Sequence, residues 1–258
     1  MEDDRIATKV EHTHERCSAE RAGARGASSH TTQRDRRGAM TMTATSRERP
    51  AAATPSARLR EATVAEHSAA ETKTFIADLI EGRLTLADYT RYLAQIAYVY
   101  EALENRPPRP EEPEFLHDPR LARFAAARHD LTELGVQDWR AEHPALAATR
   151  RYVEHLRTVA ADEDMVAYLA QHYTRYLGDL SGGQVIATMI SRHYGATEDQ
   201  LTFYRFDQID KLVGYKRAYR EHIDHLGLDA AQIDQLIAES KRAYQLNADL
   251  FDELARTR

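Results

Sequence analysis

The chain has 258 residues, with 35 basic and 41 acidic side chains and a formal net charge of −6. That is room for one sizeable domain or two small ones, and the acidic balance argues against a nucleic-acid binder that works through a broad basic surface. The single cysteine, Cys17, excludes an intramolecular disulfide framework and Cys-rich zinc or iron–sulfur sites, and no run approaches the roughly 18 apolar residues of a membrane-spanning helix.

Residues 1–57 are crowded with Arg, Ala, Ser, Thr and Glu and contain no aromatic residue. Such a segment cannot bury enough apolar surface to offset its ordering entropy, which predicts a disordered extension. It lacks the apolar core of a secretory signal, and its many acidic residues do not suit an Arg-rich targeting peptide. Translation beginning at Met40 or Met42 is a further reading. The first 50 residues hold 10 basic and 8 acidic residues, so the remainder carries −8. The expected division is an extension over 1–57 and a folded domain over 58–256.

From Leu59 the apolar residues recur at about 3.6-residue spacing almost throughout. A helix is expected over 58–81. A second runs over 84–104, opened by a Thr85/Asp88 capping-box pattern and stopped by Arg106-Pro107-Pro108-Arg109-Pro110. Asp118-Pro119 opens a helix to about Gly135, and His143-Pro144 opens one to about Ala161. A long stretch over 162–194 is interrupted at Gly178 and at Gly182-Gly183 and ends on Gly195. Helices over 207–226 and 229–255 complete the chain. No alternating strand pattern is present, so the class is all-α.

Three segments hold residues that can carry chemistry. In the first helix His67 is followed one turn on by Glu71, a spacing that lets the carboxylate orient the ring of a metal-ligating imidazole. The same pair also suits a solvated helix face. In Tyr173-Thr174-Arg175-Tyr176-Leu177-Gly178-Asp179-Leu180-Ser181-Gly182-Gly183-Gln184, three glycines lie within six residues. Each costs a helix roughly 1 kcal/mol relative to alanine, which is tolerated where something flat lies on the backbone, where the helix kinks, or where helices pack closely. Leu180 to Gln184 also spells the signature of ABC-type ATPases. No phosphate loop and no βαβ pattern accompany it, which excludes that reading. Lys216 and Arg220, four residues apart, share a helix face and could clamp two carboxylates together with Arg60, or form a solvated basic face. The other histidines lack metal-ligand spacing, and Tyr89, Tyr92, Tyr98 and Tyr100 read as packing residues.

Together these segments resemble haem oxygenase over roughly residues 58–255. The stretch 173–184 resembles the family's distal helix, and Leu59-Arg60-Glu61-Ala62-Thr63 with His67 and Glu71 resembles its proximal helix. Tyr98–Glu104 and Leu246–Leu254 resemble two further helices. The resemblance implies one all-α helical bundle that sandwiches haem, which is both substrate and oxygen-activating cofactor. It implies His67 as the axial ligand of iron with Glu71 behind it. Gly178, Gly182 and Gly183 would let the backbone approach haem, and Asp179 would hold a distal water, supported by Tyr100 and Arg175. Arg60, Tyr173, Lys216 and Arg220 would hold the propionates, with Arg60 where relatives often carry lysine. The implied products are biliverdin, ferrous iron and carbon monoxide, formed with O2 and electrons from a ferredoxin or an NAD(P)H-dependent reductase. Without an anchor, the chain resembles the soluble bacterial, cytoplasmic type. A haem carrier or sensor on the same fold, and a non-haem enzyme of the same superfold, are the rival readings.

Overall fold

Residues 53–258 are described by the computed structural model, and the extension expected over 1–57 lies up to residue 52 outside them. The described residues form α1 (Pro55–Ala62), α2 (Val64–Glu71), α3 (Thr74–Ile80), α4 (Leu86–Glu104), α5 (Phe124–Glu133), α6 (Trp139–Glu142), α7 (Ala147–Ala161), α8 (Met165–Tyr194), α9 (Leu212–Asp224) and α10 (Ala230–Arg256), joined by short 3₁₀ turns. No strand occurs among the described residues, so the class is all-α.

The element ends differ from expectation for local reasons. The single helix expected over 58–81 is three helices. Thr63 Oγ1 donates to the Leu59 carbonyl and Thr72 Oγ1 to the Ser68 carbonyl, both at 2.9 Å. These back-bonds compete with the helical ladder and turn the chain at each threonine. Helix α1 begins before the expected boundary at residue 58. Thr54 caps it, and Ser56 donates through N and Oγ to Asp224 at 2.8 and 3.0 Å, which ties α1 to the end of α9. The Thr85/Asp88 capping box opens α4 as read. The stretch from Asp118 divides into a 3₁₀ turn, Pro119–Leu121, and α5. Helices α7 and α9 start later than expected, at Ala147 and Leu212. Helix α8 runs unbroken through its glycines for 30 residues and stops at Gly195, whose φ of 71° only glycine adopts readily.

Helix α10 is the spine. It lies along α8 and also carries α2, α3 and α7, while α4 packs on α5 and α7. The core is aliphatic (Leu59, Leu79, Leu93, Leu250) with an unusual share of enclosed tyrosines, among them Tyr89, Tyr100, Tyr152, Tyr204 and Tyr219. Two buried carboxylates pin the loops behind the site. Glu104 accepts from the Arg123 and Phe124 backbone N–H groups and from the Tyr176 hydroxyl. Asp130 accepts from the N–H groups of Thr202 and Phe203. The pinned segment sets Phe203 edge-on to Tyr100, ring centroids 5.4 Å apart.

His172 is an unanticipated buried histidine, paired through Nδ1 with the Tyr219 hydroxyl at 2.7 Å. Burial, followed by the nearby His117, depresses its pKa to about 3 from an ordinary 6.5. Between those values the unfolded chain binds a proton that the folded chain refuses, so stability falls as the pH drops below 6.5. Urea denaturation at pH 7 and pH 5 should show wild-type protein losing about 2 kcal/mol through this group, a slope absent from His172→Leu.

Candidate active site

The residues expected to hold and attack a flat group come from α1, α2, α4, α8 and α9. On α2, His67 turns Nδ1 toward Glu71 Oε2 at 3.3 Å, and its ring lies edge-on to Tyr244 of α10 at 5.7 Å. The imidazole keeps 46% of its side-chain surface exposed, so it faces an open space and not the core. Burial, and then the neighbouring Tyr173 and Glu71, raise the pKa of Tyr244. Tyr244 therefore stands between the His67 helix and α8.

Helix α8 is buried without interruption from Val166 to Leu177 and then emerges at Gly178. A Cβ placed on Gly178 or on Gly182 would meet nothing within 4 Å. The helix thus presents a bare backbone face, one turn long, just beyond its wholly buried stretch. Gly183 differs from the expectation of three alike glycines. A Cβ there would stand 3.0 Å from Tyr204 Cδ1, so this glycine admits an aromatic ring from behind.

Asp179 sits beside the bare face with its carboxyl largely buried. Tyr100 donates its hydroxyl to Asp179 Oδ2. Arg175, one turn back, lies 4.0 Å from Oδ1 and donates to Asn247 Oδ1 of α10 at 2.9 Å. Burial pushes the Asp179 carboxyl above its ordinary pKa, against the pull of Arg175, Tyr100 and Arg123. A carboxyl so poised can accept and release protons.

Of the four residues expected at the propionates, Arg220 and Arg60 lie near Tyr173. Tyr173 is buried, which raises its pKa, while Arg220 and then Arg60 act on it in the opposite sense. Arg220 carries a buried Nε with no protein partner. Lys216, one turn earlier on α9, donates Nζ to Ser181 Oγ of α8 at 3.1 Å. Arg60 is exposed on α1. A different face of α9 lines a separate open cleft of about 880 Å³ with Phe115, Tyr215, Tyr219 and His222. Its cations are already engaged, Arg109 by Glu163 and Arg120 by Asp118.

Haem fits these residues. A flat ring suits a helix face where two glycines leave a Cβ-sized layer open, its iron suits an imidazole oriented by a carboxylate, and its two propionates suit the cations at the rim. Sequence reading missed Asn247, which holds Arg175. The signal was its place in the Leu246–Leu254 segment, whose inward face was not resolved by spacing alone.

An all-α scaffold with an imidazole on one short helix and a glycine-opened, carboxylate-bearing face on a long one defines a protein built around a flat metallated ring. The family model described as Heme oxygenase matches residues 53–253, and the chain belongs to the haem oxygenase family. It is 33% identical over 204 residues to heme oxygenase 1 of Gallus gallus, covering 77% of this chain and 69% of that one. The heme oxygenase structure from Leptospira interrogans superposes with a TM-score of 0.73 at 32% identity, covering 78% of this chain and all of the other. Heme oxygenase-1 of Synechocystis sp. PCC6803, solved in complex with heme, superposes with a TM-score of 0.73 at 30% identity, covering 80% and 94%. Among the described residues no helix is long and apolar enough to cross a membrane.

Proposed function

We propose that the helical unit from Thr54 to Arg258 degrades haem, opening the ring at a meso carbon to give biliverdin, ferrous iron and carbon monoxide. The observation that carries this reading is the junction of the bare Gly178/Gly182 face with the buried Tyr100–Asp179–Arg175 network. Haem supplies the iron that activates dioxygen and the ring that is cut. His67, its ring oriented by Glu71, would hold the iron. A neutral imidazole so oriented is a moderate donor, unlike a thiolate. Arg60, Tyr173, Lys216 and Arg220 take the propionates and fix the rotation of the ring, which chooses the carbon that is attacked. Asp179 holds a water over the open face and passes protons through it. Tyr100 keeps the carboxylate aimed, and Arg175 balances its charge. Such a carboxyl relay has no task in a haem carrier, so it favours turnover over the carrier or sensor reading.

Electrons come from an external donor, a ferredoxin or an NAD(P)H-dependent reductase, because the helical unit has no flavin or nicotinamide fingerprint. The cytoplasm, where such donors are found, is the compartment that fits. The test is titration with haemin followed by ascorbate or a ferredoxin system in air. Loss of the Soret band with growth of the biliverdin absorption is expected, and haem that persists would overturn the reading. Gly178→Ala sharpens the test. Its Cβ enters open space and improves helix propensity, so the haem-free protein should gain up to about 1 kcal/mol. The same methyl intrudes on the haem layer, and haem affinity should fall at least tenfold, or about 1.4 kcal/mol.

A further inference from the structure

Helix α2, which carries His67, is built to be held from outside. It has 8 residues and is cut off from its neighbours by the turns at Thr63 and Thr72. A helix of about two turns has no stability of its own in water, so packing must supply it. Apolar packing supplies little here. Ala70 is the one residue of α2 that is buried, and Val64 is 53% exposed. The element that α2 lies against is α10.

Two ion pairs of opposite polarity join these elements. Lys241 of α10 sets Nζ 2.8 Å from Oε1 of Glu66, the residue before His67. Glu66 is also one turn before Ala70, so both lie on the side of α2 that meets α10. Just past the far end of α2, Lys73 donates Nζ to Asp252 Oδ2 of α10 at 2.6 Å. Lys241 and Asp252 are separated by about three turns of α10. The charges alternate in sense: acid to base at one end, base to acid at the other. Sliding or reversing α2 would carry Glu66 toward Asp252 and Lys73 toward Lys241, like against like. The alternation therefore selects one register. One turn beyond Lys241 on α10 is Tyr244, whose ring meets the His67 imidazole edge-on at 5.7 Å.

We propose that the Glu66–Lys241 pair, with Lys73–Asp252 at the other end, seats α2 on α10 and so fixes where the His67 imidazole stands. Glu66 and Lys241 are positioning residues that act through His67, and the proposal rests on His67 as the iron ligand. Partly exposed ion pairs contribute little to a well-packed helix. Here Lys241 and Glu66 keep 42% and 30% of their side-chain surfaces exposed, but α2 has almost no apolar packing to hold it once they part. The two partners are not equivalent. Glu66 Oε2 is shielded from solvent and has no hydrogen-bond partner in the protein. Removing Lys241 strands that carboxylate, whereas neutralising Glu66 leaves a lysine that can turn to water.

The experiment compares Lys241→Met, Glu66→Gln and the exchanged pair Glu66→Lys/Lys241→Glu with the wild type. Each is loaded with haemin, and the rate of haem loss to an acceptor protein is followed. The ferrous complexes are examined by resonance Raman for the iron–histidine stretching band, which reads the placement of the imidazole directly. Lys241→Met should lose haem about fivefold faster and shift or broaden the band, and Glu66→Gln should lose it about twofold faster. The exchanged pair should return both readings toward wild type. Urea denaturation of the haem-free proteins tests whether each variant folds. A Lys241→Met band and haem-loss rate equal to wild type overturn the proposal, even if stability falls, and leave the pair a structural contact. An exchanged pair that folds but behaves like Lys241→Met overturns it too. An iron–histidine band that survives in His67→Ala overturns the ligand assignment instead, and that control separates the two failures.

Discussion

Asp179→Ala should retain haem and lose its cleavage. The carboxylate accepts from Tyr100 and lies near Arg175, and in the proposed site it touches a water and not the iron. Haem affinity should therefore stay within a few-fold of wild type. Losing about 2.7 kcal/mol of proton positioning corresponds to a factor of about 100 in the rate of biliverdin formation. The protein should also be less stable. Tyr100 is wholly buried, and removing its acceptor leaves a hydroxyl unpaired at a cost of about 1–3 kcal/mol. Asp179→Asn separates the two effects. Its amide oxygen can still accept from Tyr100, so stability should recover toward wild type, while an amide cannot relay a proton and turnover should stay low. Haemin titration, the rate of biliverdin absorbance growth and urea denaturation on the three proteins make the comparison. Biliverdin formed by Asp179→Ala at the wild-type rate would remove the carboxylate from the mechanism.

His67→Ala should abolish turnover and leave the fold untouched. The ring is nearly half exposed, lies edge-on to Tyr244, and pairs with a Glu71 that is itself 40% exposed. Truncating so open a side chain is expected to change stability by no more than about 0.5 kcal/mol. Haem should still enter the slot, since the propionate clamp and the open glycine face remain, but its spectrum should lose the signature of axial histidine. Imidazole added in millimolar excess should fill the space left by the ring and restore part of the biliverdin yield. Glu71→Gln should give a milder loss, because it keeps the size of the orienting group and removes its charge. Undiminished turnover by His67→Ala without imidazole would assign the ligand elsewhere.

Both predictions rest on residues that were readable before any coordinates. Spacing alone left other readings open, and the likeness to the haem oxygenase family is what singled these residues out. His67 and Glu71 stand four apart, Gly178 and Asp179 fall inside a helical period, and Lys216 and Arg220 share a face. Periodicity of 3.6 also made the all-α class legible from Leu59 onward, because a helix writes its buried face into local sequence. Helix ends were legible only where the cap is a local side-chain motif, as at Thr85/Asp88 and at Gly195. The breaks at Thr63 and Thr72 were not, since a threonine that bonds back to a carbonyl looks in sequence like any other helical threonine.

By itself, then, the sequence determined what local chemistry can express, the helical class and those helix ends that carry a local cap, and its likeness to a family marked out the proximal and distal segments. Tertiary structure decided whatever depends on which helix lies against which. It made Gly183 a seat for Tyr204 while Gly178 and Gly182 stay open, a distinction that three glycines within six residues cannot carry in sequence. It buried His172 against Tyr219, and it brought Asn247 to Arg175 and Glu239 to His155 and Gln171 across α7, α8 and α10. These partners are 47 to 84 residues apart along the chain. Local periodicity says which face a residue occupies, and only the packing of one helix on another says what that face will meet.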